Sequence, residues 1–486
     1  MTSSFSDFKS RYHESRIEYM AKGKSPTCSV ISSETPYWQG SRLIFPFAID
    51  RWKHFYQIDF PVEFKNTHQS HPFVLVGMAM AEIYRLCEIC TPETVEVFWY
   101  SCLSWESDWW NEDIYWYLQQ KFYLEKWDWD RMPRIEFSPS SSPSSSPSSS
   151  PSSSPSSSPS SIENYWSPSV RDSYLLAVSG GKESTFAFEW MQRANLPGET
   201  FTLHHAGGIL GDNWQQKFPV FDRIRERSHL WEILTHPKEE AAEHFGYEGV
   251  RNDPTITNAL FAMMAIAAQQ GHKFLVLAND KSSNESNATY QGRSVNHQSA
   301  KGTAYVERFN NFLERKGLPF RYVSICQEVY SIATVQQLSI WNKNILNDLT
   351  SCNEAQWAPD SSRWCCDCPK CAFSFALIEA ATDDNFAIQV VGKDLFSLQK
   401  LEELWTRLFD SNAEKPFECV GEKRETLMAL AKCKEQRLKK GKSLGVLAAI
   451  PDVKFDRSLL SISAPTNIPQ THRQKLDSVL TNPQTF

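Results

Sequence analysis

Ser138 to Ser161 consists of serine and proline alone, with a proline at every fourth position: Pro139, Pro143, Pro147, Pro151, Pro155 and Pro159. No residue of such a tract can enter a hydrophobic core, and its prolines favour extended polyproline-II segments. Residues 138–161 therefore read as a disordered, solvated spacer. Whatever this 486-residue chain folds into must be built on either side of it. The tract also biases the composition, since it holds six of the 26 prolines and lowers a mean hydropathy of -0.45. The chain outside it carries 17 Trp, 16 Tyr and 30 Phe, too many aromatics for a disordered protein. Acidic residues outnumber basic ones, 57 to 50, which excludes a basic nucleic-acid binder. Apolar runs such as Phe73–Met80 and Ala259–Ala268 are far shorter than the roughly 20 residues of a spanning helix, so no membrane insertion is expected. Met1–Ser25 is polar, lacks an apolar signal region and reads as a flexible N-terminus; a cytoplasmic location is expected.

Residues 26–137 are dense in aromatics, with nine tryptophans between Trp38 and Trp129, and must fold as an N-terminal domain. Tyr56–Phe64 alternates like a half-buried strand, Phe73–Ile89 reads as a helix with a wide apolar face, and Thr94–Cys102 as a strand. The tryptophans are best assigned to core and interface packing. Beyond the spacer, strands predicted at Tyr174–Ser179, Phe201–His205, Lys273–Ala278 and Arg321–Ile325 alternate with helices at Ser184–Ala194, Thr257–Gln270 and Val306–Lys316. Such a rhythm implies a mainly parallel sheet with helices on both faces, over residues 162–392. Residues 393–486 form a C-terminal helical region.

Ser179-Gly-Gly-Lys-Glu-Ser184 falls between an apolar strand and a helix. Gly180 and Gly181 let the backbone turn tightly and approach a ligand, and the following helix offers unpaired N–H groups to an anion. Ser179 and Ser184 add hydroxyls, and Lys182 a positive charge. The spacing is not that of a Walker loop. The motif resembles the Ser-Gly-Gly-x-Asp-Ser signature of the PP-loop ATP pyrophosphatases, with Glu183 in place of the usual Asp. That resemblance implies ATP bound on this loop, magnesium near Glu183, and pyrophosphate released as a substrate carboxylate or carbonyl is adenylated.

A second motif gathers cysteines. Cys365, Cys368 and Cys371 follow C-x₂-C-x₂-C spacing, with Cys352 thirteen residues upstream. Four thiolates from one turn-rich loop suit a closed, tetrahedral and hence structural zinc site; Cys366 is an extra thiol that could replace Cys365 in another register. The expected fold is therefore α/β: a PP-loop-type, mainly parallel sheet with a zinc-pinned loop at 352–371 and a smaller aromatic-rich α+β N-terminal domain.

Gly292-Arg-Ser-Val-Asn-His-Gln-Ser-Ala-Lys301 follows the strand ending near Asn279 and Asp280, where strand ends converge on ligand in open α/β sheets. His297 can exchange protons near neutral pH, and Arg293 and Lys301 can neutralise phosphate or carboxylate. Asn279, Asn296 and Gln298 are amides suited to orienting substrate. Val295–Lys301, Trp364–Cys371 and Phe417-Glu-Cys-Val-Gly421, with the phosphate loop and Phe73–Leu86, resemble the ATP-dependent UDP-N-acetylmuramoyl-L-alanyl-L-glutamate epimerases of peptidoglycan synthesis, over most of residues 40–480. Ala300 stands where that family's pattern has Ser.

The resemblance implies that the terminal L-Glu of UDP-MurNAc-L-Ala-L-Glu is inverted to D-Glu as ATP becomes AMP and pyrophosphate. Adenylation converts a carboxylate, beside which Cα–H is scarcely acidic, into an acyl group whose enolate can be stabilised electrostatically. On this reading residues 179–184 hold the ATP phosphates. His297 transfers the Cα proton, Lys301 neutralises the adenylated carboxylate or the pyrophosphate, and Arg293, Asn279, Asn296 and Gln298 contact substrate. Two other functions fit the motifs: a 7-cyano-7-deazaguanine-synthase-like PP-loop enzyme of nucleoside modification or antiviral defence, and an inactive PP-loop binding module. None of these features sets an oligomeric state.

Overall fold

A computed structural model describes residues 26–62, 64, 71–139, 169–205, 217–236, 240–247, 255–355, 362–382 and 385–481. The expectations for residues 1–25 and for most of the spacer, 140–161, lie outside the described residues.

The N-terminal aromatic block forms β1 (Thr27–Ser33), β2 (Tyr37–Gln39), β3 (Arg42–Ile49), β4 (Trp52–Asp59), α1 (Pro72–Ile89), β5 (Thr91–Cys102), α2 (Ser104–Glu125) and β6 (Arg134–Pro139). β3 and β4 pair antiparallel from Ile49–Trp52 outward, across a two-residue turn in which Asp50 has φ 50° and receives the N–H groups of Ser29 and Val30 on Oδ1. β4 ends at Asp59, short of the Phe64 that its alternation suggests, because Pro61 cannot donate to a ladder. α1 starts with Pro72 at its first position and is buried almost all round, as its near-continuous apolar sequence requires. β6 reaches two residues into the Ser/Pro tract, Ser138 and Pro139 pairing with Ser101 and Cys102.

The second half supplies β7 (Arg171–Ala177), α3 (Lys182–Arg193), β8 (Gly198–His205), β9 (Leu230–His236), α4 (Thr255–Gln270), β10 (His272–Leu277), β11 (Ala288–Tyr290), β12 (Arg293–Val295), α5 (Thr303–Arg315), β13 (Arg321–Ser324), α6 (Ser331–Asn342), α7 (Pro369–Ala381), α8 (Lys423–Lys439) and α9 (Gln470–Ser478). β13, β10, β7, β8 and β9 lie side by side in that order, all parallel. The side-chain period of two sorts the sheet's residues between two cores. Tyr174, Leu176, Phe274, Val276 and Val323 face one core with α3, α6 and the C-terminal helices; Leu175, Leu275, Leu277 and Tyr322 face the other with α1, α4 and α5. Helices on both faces of a mostly parallel sheet are the expected α/β arrangement.

The aromatic block keeps its own strands and helices, yet its sheet and core continue into the second half. β4 pairs antiparallel with β9 through Gln57–His236 and Asp59–Leu234, so eleven strands form one sheet. Trp110 stacks on Phe261 at 5.8 Å, Trp109 on Phe312 at 4.1 Å, and a Cβ on Gly77 of α1 would overlap the Phe261 ring of α4. The tryptophans thus serve packing, as their number suggests. On the opposite face, α9 docks against β7 and α3: Tyr174 OH lies 2.6 Å from His472 Nδ1, and Trp190 donates to the Leu476 carbonyl at 2.8 Å.

β7 and β10 are neighbours whose following segments run to opposite faces, α3 into one core and α5 into the other. A crevice at such a switch point, beyond the C-terminal strand ends, is where open α/β sheets bind ligands. The Ser179–Ser184 turn leaves β7 there, and Asn279–Asp280 leaves β10.

Candidate active site

Ser179–Ser184 forms the tight turn from β7 into α3. Gly180 has φ +79°, and a Cβ there would lie 2.8 Å from Phe218 Cδ1, so glycine is required on two counts. Gly181 caps the helix and its carbonyl receives Thr185 N–H at 3.1 Å. Ser184 Oγ accepts the Ser179 N–H at 3.2 Å and donates to the Gly181 carbonyl at 3.3 Å, which fixes the loop's curvature. Ser179 is exposed, with its Oγ 3.4 Å from Ser184 Oγ.

Lys182 turns inward. Its Nζ is 2.6 Å from Glu183 Oε1 and lies over the Phe373 ring of α7 at 5.1 Å. Burial pushes this ammonium's pKa down, but Glu183, with Asp280 and Glu425, more than reverses that and raises it. Glu183 is the counterpart: burial pushes it up, and Lys182 together with the Ser331 hydroxyl brings it below the ordinary carboxylate range. Ser331 Oγ joins two carboxylates, lying 2.6 Å from Glu183 Oε1 and 2.8 Å from Asp280 Oδ2. Asp280 is pushed up by burial and by the neighbouring Glu183 charge. Two carboxylates meeting at one hydroxyl form an oxygen donor set that a hard divalent cation would stabilise.

Glu425 of α8 completes this acidic group. It is fully buried, accepts Ile332 N–H at 2.6 Å and the Ser282 hydroxyl at 2.8 Å, and sits where a Cβ on Gly421 would overlap it. Burial, with a contribution from Asp280, pushes its carboxyl up to about 8. A carboxyl protonated in the folded state but ionised in the unfolded chain lowers stability as pH rises from 4.5 to about 8. Glu425→Gln is therefore expected to gain on the parent by about 1.4 kcal/mol per pH unit across that window. Urea unfolding of both proteins through the window checks this; a constant difference contradicts it.

The central block divides into scaffold and projecting groups. Gln291 (φ 46°) and Gly292 (φ 76°) turn the β11–β12 hairpin, and Arg293 is exposed, its guanidinium 5.5 Å from the Tyr115 ring and 5.4 Å from the Trp129 ring. Asn296 spends its amide within the loop, donating to the Ser283 carbonyl at 2.8 Å and accepting Gln298 N–H at 2.7 Å. Gln298 is buried and donates to the Val420 carbonyl at 3.4 Å. Asn279 donates to Tyr322 OH at 2.7 Å. Three of the four residues expected to contact substrate thus donate from their amides to the framework, and Arg293 sits on the hairpin.

His297 and Lys301 project instead toward Phe417–Gly421. Asn287 holds His297 N–H at 2.8 Å and donates to the Pro416 carbonyl at 2.9 Å, while Lys415 pairs with Glu285 at 2.5 Å. These contacts bring Cys419 against the block: Lys301 Nζ lies 3.0 Å from Cys419 Sγ. His297 adds to the positive surroundings of the same sulfur, and its Nδ1 lies 2.6 Å from Gln120 Oε1. Burial alone would push the thiol up; Lys301 and His297, with Lys370 behind them, hold it well below its ordinary value instead. Sequence reasoning singled out Phe417–Gly421 but not the sulfur's role, and passed over Glu425 and Ser331, whose partners come from remote elements.

Cys352, Cys365, Cys368 and Cys371 converge with all four sulfurs within 4.8 Å of one another, all buried, a cluster able to hold a metal ion. Sγ separations of 3.9 Å (Cys352–Cys368) and 3.8 Å (Cys365–Cys371) match the edge of a tetrahedron with bonds of about 2.3 Å, the zinc–thiolate length. Backbone N–H groups of Cys365, Cys368 and Cys371 point at these sulfurs. Cys366 adopts φ 59° and directs its thiol to the Trp364 and Val391 carbonyls, so it is not an alternative ligand in this register. The cluster is tied to the Ser179–Ser184 turn, since Thr350 N–H donates to the Gly180 carbonyl at 3.0 Å. Among the described residues no helix is long and apolar enough to cross a membrane.

Fold and site define an α/β protein with a glycine turn at a switch point, a buried charge cluster beside it and a four-cysteine loop behind. Residues 149–325 match the MurL N-terminal domain and residues 348–454 the MurL C-terminal domain, and the chain belongs to the MurL family. The block 26–139 falls outside both matches, which is a narrower extent than the motifs suggested. Three curated relatives bear the name UDP-N-acetyl-alpha-D-muramoyl-L-alanyl-L-glutamate epimerase. One from Micromonospora sp. is 29% identical over 267 residues, 54% of this chain and 57% of the relative. Those of Salinispora tropica and Xanthomonas oryzae pv. oryzae are 28% identical over 269 residues and 26% over 265, each spanning 56% of the relative. The matched part of the chain spans a little over half the length of these relatives.

Proposed function

We propose that this protein is an isomerase that epimerises the terminal L-Glu of UDP-MurNAc-L-Ala-L-Glu to D-Glu, using ATP to adenylate the glutamate carboxylate. The observation that carries this reading is that both family matches meet at one site. Residues 179–184, Asp280, His297 and Lys301 come from one, and Cys419 and Glu425 from the other. The names borne by the relatives supply the substrate.

Ser179, Gly180, Gly181 and Ser184 bind the ATP phosphates, with the N-terminus of α3 favouring their charge. Lys182 acts from beneath, keeping Glu183 ionised. Glu183 and Asp280 would hold magnesium, which supplies charge neutralisation for the phosphates. Lys301 offsets charge on the acyl group once its proton is lost, and proton exchange at Cα takes place at the His297 end of the site. Arg293, with its aromatic neighbours, faces outward where the nucleotide-sugar part of the substrate would extend. The four cysteines would hold a structural zinc that keeps α7, and with it Phe373 and the loop around Thr350, in place.

The test is incubation with UDP-MurNAc-L-Ala-L-Glu, ATP and magnesium in D₂O. Release of AMP and pyrophosphate together with deuterium at the glutamate Cα is the expected result. Pyrophosphate released only with a deazaguanine acid and ammonia, without Cα exchange, would place the protein among nitrile-forming PP-loop enzymes. An inactive binding module would give neither product.

A further inference from the structure

The proposed epimerisation needs a group that accepts a carbon-bound proton, and the residue read from sequence for that task, His297, has a more suitable neighbour. Of the twelve cysteines, Cys419 alone is not fully buried. Among the described residues it is also the one cysteine outside the four-cysteine cluster whose sulfur is bonded by a cation, Lys301 Nζ at 3.0 Å. The segment that carries it is held on three sides, by Lys415–Glu285, by Asn287 on the Pro416 carbonyl and by Gln298 on the Val420 carbonyl. Such fixation is far more than a surface thiol needs. The glycine two residues on, Gly421, allows Glu425 and Phe373 to approach, which joins this segment to the Lys182 cluster.

The geometry points to Cys419 as the base that removes the Cα proton of the adenylated glutamate, with Lys301 and His297 as the groups that hold and reload its sulfur. This rests on the reading above and adds a residue and a role to it. In the step, the Cα–H bond breaks and its proton forms an S–H bond with the Cys419 thiolate. The electron pair of the C–H bond moves into the enolate of the acyl-adenylate. A proton from water adds to the opposite face of Cα, and the thiol returns its own proton through His297 to solvent, so protons balance over the cycle. His297 suits the relay because Gln120 holds its Nδ1, so that Nε2 can take up and release a proton. A thiolate kept ionised by Lys301, His297 and Lys370 is available at neutral pH, whereas an ordinary thiol is mostly protonated. The ammonium of Lys301 also remains beside the site where enolate charge develops.

The experiment compares the full-length parent with Cys419→Ala and Cys419→Ser in D₂O, using UDP-MurNAc-L-Ala-L-Glu, ATP and magnesium. Pyrophosphate release, Cα deuterium and thermal unfolding are followed together. The variants are expected to lose Cα exchange by about 10²–10⁴-fold, while pyrophosphate release falls far less, because the acyl-adenylate still forms and hydrolyses. In the parent, brief iodoacetamide treatment should label Cys419 first and abolish exchange before pyrophosphate release, a readout that does not depend on a variant folding. Exchange at the parent's rate in either folded variant overturns the assignment, as does an equal loss of exchange and pyrophosphate release in the variants and in the labelled parent. A parent that releases pyrophosphate without Cα exchange overturns the epimerase reading, and the role of Cys419 with it.

Discussion

Replacing Cys371 by serine is expected to abolish binding of one zinc per chain and to destabilise the protein by more than about 4 kcal/mol. Cys371 is fully buried and lies on α7, which packs against α6 and α8. Its thiol is one of four held within 4.8 Å. Loss of the ion would leave several buried thiols close together with no charge to hold them and would free the start of α7. The damage would travel to the Ser179–Ser184 turn by two routes, the Thr350–Gly180 hydrogen bond and the Phe373 ring under Lys182. Metal analysis of the purified parent, with guanidinium unfolding of parent and Cys371→Ser, measures both parts of the expectation. A metal-free parent as stable as the metal-loaded one contradicts it.

Removing the buried cation of the site should be nearly as severe. Lys182→Met leaves Glu183, Asp280 and Glu425 without the ammonium that faces all three. Stripping one partner from a buried ion pair costs about 3–5 kcal/mol, because the remaining charge is uncompensated. The sign of its pH dependence follows. Without Lys182, burial and Asp280 raise the folded-state pKa of Glu183 above its unfolded value, so the variant is least impaired at low pH and loses stability as pH rises. The parent has the opposite contribution from Glu183, whose lowered pKa favours folding above the ordinary carboxylate range. The gap between the two proteins should therefore widen from mildly acid to neutral pH, and Lys182→Met/Glu183→Gln should recover part of it. A pH-independent gap contradicts the assignment of Lys182 to the carboxylates.

How much of this was legible in the sequence differs by element. The strands around Tyr174, Phe274 and Tyr322 are short apolar runs flanked by turn residues, and their helices follow a 3.6-residue period, so the parallel sheet could be read directly. The cysteine spacing gave the four sulfurs that converge, and the glycine pair gave the turn. The helix α2 was not legible: Trp, Asp, Glu, Gln and Lys share its buried face, and apolarity along Ser104–Glu125 does not reveal its period. Nor could the β4–β9 pairing be foreseen, because it joins Asp59 to Leu234 across the whole Ser/Pro tract. In the site, residue type could not show that Asn279, Asn296 and Gln298 also bond the framework. An amide looks the same in sequence whether it grips a ligand or a backbone carbonyl. Cys419 was obscured for the converse reason, since a thiol acquires its character from Lys301 and His297, more than a hundred residues away.

The central claim is most directly tested by the configuration of the glutamate after the protein has acted on UDP-MurNAc-L-Ala-L-Glu with ATP and magnesium. Acid hydrolysis and chiral chromatography should reveal D-Glu accumulating with time, in step with pyrophosphate and dependent on ATP. Glutamate that remains wholly L while ATP is consumed, or D-Glu formed equally well without ATP, would contradict the account.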